Sequence, residues 1–139
     1  MIVLDTNVIS EVIGTPASSR VLQWFNSQDV REVYITSVTQ AELFYGVELL
    51  AGGKRRSFLS HAIEKLFCED FAERILPFDE QAARLYGKIL PARQSIGRPM
   101  SQLDCMIASI CRSHQAALAT RNTKDFEHCG VNLVNPWEA

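Results

Sequence analysis

A chain of 139 residues, 47% of them hydrophobic, lies in the size range of one globular domain with a sizeable core. A formal net charge of −2 excludes the global basic field that marks many nucleic-acid binders, so any such contact must come from local basic groups. No window approaches the roughly 18 to 20 continuous apolar residues of a membrane span, and a carboxylate at position 5 does not fit a signal peptide, so a cytoplasmic protein is expected.

The chain opens on Ile2-Val3-Leu4, apolar and rich in β-branched residues, which reads as a buried strand. Asp5 follows at once, and Asn7 to Val12 can form a short helix before Gly14-Thr15-Pro16 interrupts it. Val21, Leu22, Trp24 and Phe25 give an apolar face to a helix from about Ser18 to Ser27, and Glu32 to Thr36 reads as a strand. A helix from Ser37 to Leu50 should end at Gly52-Gly53, a pair suited to a C-terminal cap. Lys54-Arg55-Arg56 is the only compact basic cluster. From Arg56 to about Phe71, Phe58, Leu59, Ala62, Ile63, Leu66 and Phe67 recur at helical spacing and suggest packing rather than chemistry.

Arg74 to Phe78 is a short strand. Asp79 then caps a helix through Ala82, Ala83, Leu85, Tyr86 and Ile89, which Pro91 should bend or split because it removes a backbone donor. Gly97 and Pro99 close that region, and Ser101 to His114 forms a helix apolar almost all round, which marks it as central. Ala116 to Thr120 is a strand, Arg121 to Phe126 a turn or a single helical turn, and Val131 to Val134 the last strand. Strands alternating with helices predict a three-layer α/β/α sandwich on a mostly parallel sheet, one domain over residues 1–139. Sites in such sheets form beyond the carboxyl ends of strands where the strand order reverses, and Asp5 and Arg121-Asn122 both follow strands. Cys68, Cys105, Cys111 and Cys129 show no paired spacing and read as small apolar core residues.

Asp5, Glu42 and Asp104 are the acids that carry candidate chemistry, and each has a competing role. An Asp after a strand commonly caps a helix, while Thr39 to Glu42 and Ser101 to Asp104 match the capping-box pattern. Ser37 offers a rival cap that would free Glu42, and Gly46, four residues on, leaves a gap on the same helical face. An acid entering a buried helix at Asp104 is costly unless paired, metal-bound or protonated. Should the three converge, their oxygens suit Mg2+ or Mn2+, and metal-assisted phosphodiester hydrolysis is the expected reaction. Asn122 and Asp125 are further polar candidates, each with a plain reading as a turn or cap residue. Lys54, Arg55, Arg56, Arg98, Arg121 and Lys124 are candidate phosphate contacts or solvated charges.

In order, Ile2 to Ile9 around Asp5, Ser37 to Glu42 with Gly46, Leu103 to Ser109 around Asp104, Ala119 to Phe126, and Asn135-Pro136-Trp137 together resemble the PIN-domain ribonucleases of the VapC toxin type, including the FitB-like branch. The resemblance spans essentially the whole chain. It implies a Mg2+- or Mn2+-dependent endoribonuclease acting on RNA, the toxin of a type II toxin–antitoxin pair, usually a homodimer and neutralised by a cognate antitoxin. By position it implies that Asp5, Glu42 and Asp104 form the acidic triad. Asp5 and Asp104 would be the primary metal ligands, and Glu42 would hold a second ion or orient water. Asn122 stands where many members carry a fourth acid, a role that Asp125 would in part replace. Gln102 and Leu103 are bulkier than the pair often found there. A PIN-like binding module acting through its protein partner is the alternative. A receiver-like phospho-acceptor or an aspartate-nucleophile phosphatase fits less well, since Asp5-Thr6-Asn7 lacks the second acid of the phosphatase motif.

Overall fold

The computed structural model describes residues 1–14 and 16–139; Thr15, within the expected Gly14-Thr15-Pro16 break, lies outside them. Five strands form one sheet, β1 (Ile2–Leu4), β2 (Val33–Thr36), β3 (Ile75–Leu76), β4 (Ala117–Ala119) and β5 (Leu133–Val134), in the order β3-β2-β1-β4-β5. Every observed pairing is parallel, with Leu4 opposite Ala119 and Val3 opposite both Tyr34 and Leu118. The six α-helices are α1 (Thr6–Ile13), α2 (Ser19–Asn26), α3 (Ser37–Glu48), α4 (Lys54–Lys65), α5 (Glu80–Ser95) and α6 (Gln102–Ser113). The expected three-layer architecture is present.

Alternation along the strands explains the layers, because successive side chains leave opposite faces of a sheet. Val3 and Leu118 pack with Ala82, Ile89, Ile107 and Ile110 from α5 and α6, whereas Leu4 and Ala119 pack with Val8, Ile9, Leu43 and Ile63 from α1, α3 and α4. A parallel sheet covered on both sides needs such near-continuous apolar strands. The chain crosses outward from β1 through β2 to β3, then returns to build β4 and β5 on the other side of β1. The strand order therefore reverses between β1 and β4, which opens a crevice at their carboxyl ends.

Several elements depart from their sequence expectation. Helix α5 runs unbroken through Pro91. Its missing N–H would bond the Gly87 carbonyl, and both residues are exposed, so the carbonyl that loses its donor is on a solvent-facing side of the helix. Gly52-Gly53 does not end α3, which closes at Leu49; Gly53 instead precedes α4 at φ 142°, a backbone conformation suited to glycine. The expected helix from Arg56 to Phe71 starts earlier, at Lys54, and widens into a π turn over Leu66–Asp70, closed by Phe71 N–H donating to the Leu66 carbonyl at 2.8 Å. That wider turn buries Leu66, Phe67 and Phe71 together, while Phe58 stays exposed. Strands shorten at their ends, with Glu32 in a 3-10 turn and Arg74 and Phe78 outside β3. Cys105, Cys111 and Cys129 are buried as expected; Cys68 is exposed, on the outer side of the π turn.

No helix of the described residues is long and apolar enough to cross a membrane. Because Pro91 sits on a watered face, Pro91→Ala should restore one helical hydrogen bond and raise stability by about 1 kcal/mol, part of the helix-propensity gain being offset by a more flexible unfolded chain. Urea unfolding should show a higher midpoint at unchanged slope.

Candidate active site

Asp5 terminates β1 and caps α1, and it is 6% exposed. Its Oδ1 accepts from Thr6 N–H at 2.8 Å; its Oδ2 accepts from the Thr120 hydroxyl at 2.7 Å and the Asn7 amide at 3.3 Å. The cap expected from the sequence and the candidate site are thus one residue. Thr120 follows β4 and also accepts from Asn122 N–H at 3.1 Å, so the ends of β1 and β4 are tied through one carboxylate. Burial pushes the Asp5 pKa up, with the Thr120, Thr6 and Asn7 donors pulling against it.

Glu42 reaches the same crevice from α3. Neither Ser37 nor Thr39 caps that helix: Thr36, the last residue of β2, accepts from Thr39 N–H at 3.1 Å. With Thr36 rather than the expected Ser37 as the cap, Glu42 is left free and takes the Thr6 hydroxyl at 2.8 Å. Burial raises its pKa, opposed by Thr6 and reinforced by Asp5. A Cβ at Gly46 would meet nothing within 4 Å, and the residue lines a neighbouring groove together with Glu42, Thr6, Ser10 and Arg55, so the open space expected beside that carboxylate is present.

Asp104 enters from the first turn of α6, where Ser101 caps the helix by accepting from Asp104 N–H at 3.1 Å. Its pKa is pushed up to about 6, first by burial, then by Asp5, against the lowering effect of the Ser101 hydroxyl, with smaller upward contributions from Asp125 and Glu42. Asp5, Glu42 and Asp104 line one pocket of about 450 Å³ with Thr6, Asn7, Ser10, Glu11, Arg121, Asn122 and Trp137. Asn122 is on that wall. Asp125 is not: it lies beyond Asp104, in an adjoining pocket with Arg93, Met100 and Ser101.

Of the candidate phosphate contacts, Arg56 pairs with Glu48 at 3.0 Å and donates to the Leu50 carbonyl, Arg98 pairs with Glu127 at 2.7 Å, Arg55 lines the groove shared with Glu42, and Arg121 lines the acid pocket. Sequence reasoning also passed over Thr6, Thr39 and Thr120, whose signal is their place just beyond the carboxyl ends of parallel strands. Arg93 was missed as well. It is 3% exposed, forms no salt bridge among the described residues, and donates to the carbonyls of Arg98, Asp125 and Glu127 at 2.7, 2.8 and 2.9 Å. No local pattern distinguishes it from an exposed arginine of α5.

Among the described residues no three His, Cys, Asp or Glu side chains form a ready-made metal cage. Mg2+ needs none, since it commonly takes one or two carboxylates and completes its shell with water and substrate oxygens. Three acids raised in pKa by burial, with Asp5 raising both Glu42 and Asp104, are the electrostatic counterpart of a divalent cation, and in that respect the donor set fits one. The cost without a cation is measurable. Because the folded pKa of Asp104 lies above its unfolded value, the penalty is absent below about pH 4, grows as pH rises, and is complete above about 6; with its partial exposure it is on the order of 1 to 2 kcal/mol. In chelator at neutral pH, Asp104→Asn should melt a few degrees above the native protein, a gain that vanishes near pH 4. Adding Mg2+ should raise the melting temperature of the native protein but not of Asp104→Asn.

Comparison with known proteins fits this geometry. The PIN domain family matches residues 2–131. The chain is 39% identical over 137 residues to toxin FitB of Neisseria gonorrhoeae and 37% identical over 138 residues to VapC ribonuclease Y4jK of Sinorhizobium fredii, with 99% of each chain covered in both cases. The structure of FitAB bound to an IR36 DNA fragment superposes with a TM-score of 0.93 at 39% identity, covering 99% of this chain and 96% of that one. A five-stranded parallel sheet with its acids gathered at the β1/β4 crevice, and a family match along nearly its full length, make this chain a member of the PIN domain family.

Proposed function

We propose that this PIN domain is an endoribonuclease that hydrolyses RNA phosphodiester bonds with Mg2+ or Mn2+, and that it is the toxin of a type II toxin–antitoxin pair. The observation that carries this reading is the meeting of Asp5, Glu42 and Asp104, from three separate elements, in one pocket at the switch point of the sheet. Its relatives named a ribonuclease and a toxin support the same activity and role.

Asp5 and Asp104 would hold the metal, and Asn122 would contribute a neutral oxygen where an acid would bind a second ion more strongly. When bound, such an ion polarises the phosphodiester and acidifies a water. The protein supplies orientation. Thr120, Thr6 and Asn7 fix the rotamer of Asp5, and they do so with neutral donors that leave its negative charge uncompensated. Thr6 also holds Oε1 of Glu42, and Thr39, 3.1 Å from the Thr6 hydroxyl, holds Thr6. Oε2 of Glu42 can then accept a proton from water, a role its raised pKa favours. Such a site would recognise a bent single strand by its shape and backbone. The partner would be a cognate antitoxin that covers the acid pocket, and the toxin would act as a homodimer in the cytoplasm.

Partner-free protein should cleave total cellular RNA with Mg2+ or Mn2+ and not in chelator. Asp5→Asn, Asp104→Asn and Glu42→Gln should each lower the rate by about a hundredfold or more, the order expected when a ligand or a general base is lost. Full activity in Asp5→Asn, or cleavage that ignores metal, would overturn the assignment. Asn122→Asp should tighten Mn2+ binding in calorimetry; unchanged affinity would remove Asn122 from the site.

A further inference from the structure

Arg121 is the only cation among the residues lining the acid pocket, where it faces four carboxylates: Asp5, Glu11, Glu42 and Asp104. An arginine in such company ordinarily collapses onto one of them. Here it does not: among the described residues no salt bridge involves Arg121, whereas Arg31, Arg56, Arg84 and Arg98 each pair with an acid. Instead its guanidinium lies over the Trp137 ring, 5.0 Å from the centroid. The attraction between a guanidinium and an indole face is enough to set a rotamer that a solvated side chain would not keep.

Both partners are fixed from behind. Arg121 N–H donates to Oδ1 of Asn7 at 3.3 Å, in the same network that holds Asp5. Trp137 N–H donates to Oδ1 of Asn135 at 3.0 Å, and the indole packs against the core cluster that contains Leu4 and Ala119. Arg20 ties down the chain beyond it by donating to the carbonyls of Glu138 and Ala139 at 3.2 and 3.0 Å. A guanidinium held over a ring and paired with no acid keeps N–H donors available, a fork that matches a phosphate. A polyanion approaching four acids needs a positive contact that does not neutralise those acids.

We propose that Arg121, propped on Trp137, is a phosphate-docking point for the RNA strand beside the scissile linkage. It recognises the sugar–phosphate backbone and positions it; it is not a group that moves a proton. The inference rests on the ribonuclease reading, and its test separates the two.

The full chain, free of partner, is titrated with an RNA oligonucleotide in chelator, where no cleavage is expected, across a salt series, and cleavage of the same RNA with Mg2+ is followed in parallel. Arg121→Gln should weaken binding about tenfold, reduce the magnitude of the log–log salt slope by about 0.7, and raise KM far more than it lowers kcat. Arg121→Lys should restore the salt slope and only part of the affinity, because the charge returns without the planar fork. Trp137→Leu should weaken binding while leaving the salt slope in place, and Trp137→Phe should recover most of the loss. Mg2+-induced thermal stabilisation should be retained or increased in Arg121→Gln, since a positive charge facing the acids is removed, whereas a collapsed pocket would lose it. Native protein that cleaves RNA while Arg121→Gln keeps its KM and salt slope overturns this inference alone, as does a loss confined to kcat. Native protein that neither binds nor cleaves RNA overturns both.

Discussion

The site depends on burying one carboxylate at the carboxyl edge of a parallel sheet. Asp5 is the last step of the central strand, and a bare anion at that depth would be prohibitively costly. Three neutral donors make it tolerable, one from the next residue, one from the first turn of α1 and one from beyond β4. Those same bonds fix the distance between the ends of β1 and β4, so the burial of the charge and the geometry of the crevice have a single cause. Nothing cationic was used to stabilise Asp5, which leaves its field available to a ligand.

The other acids work against folding. Glu42 and Asp104 are each driven upward in pKa by burial and by Asp5, and the repulsion has to be offset by the two apolar layers on either face of the sheet. Such an opposition between local stability and poised charge is the usual mark of a functional site. Threonines serve as spacers here. Thr6, Thr36, Thr39 and Thr120 donate or accept without adding charge, so the acids are oriented and not neutralised.

Positive charge is handled by separation. Arg93 is buried, yet it is solvated by main-chain carbonyls of the loops around Arg98, Asp125 and Glu127, which pins the segment after β4 to the end of α5 and sets the outer wall beside Asp104. Arg121 is held over an indole ring at the pocket rim. Neither cation pairs with a pocket acid. Had either done so, the pocket would present a closed ion pair and little attraction for a divalent cation.

The alternation of apolar strands with helices, the polar residues that close or follow β1, β2 and β4, and the order of the acid-bearing segments are written into neighbouring residues, so the three-layer fold could be read from the sequence, and Asp5, Glu42 and Asp104, singled out there with the family resemblance, do line one pocket. Periodicity is local, and short range is enough to express it. What each polar residue touches is not local. Pro91 stays inside a helix because its face meets water, Gly46 opens on a groove that Glu42 also lines, and Gly53 starts a helix instead of ending one. Asn122 joins the acid pocket while Asp125, three residues on, falls behind Asp104. Arg93 and Arg121 look alike in the chain; one is sealed among carbonyls and the other is stacked on Trp137. Those outcomes were decided by contacts between segments far apart in sequence, through burial and charge, which no stretch of the chain specifies alone.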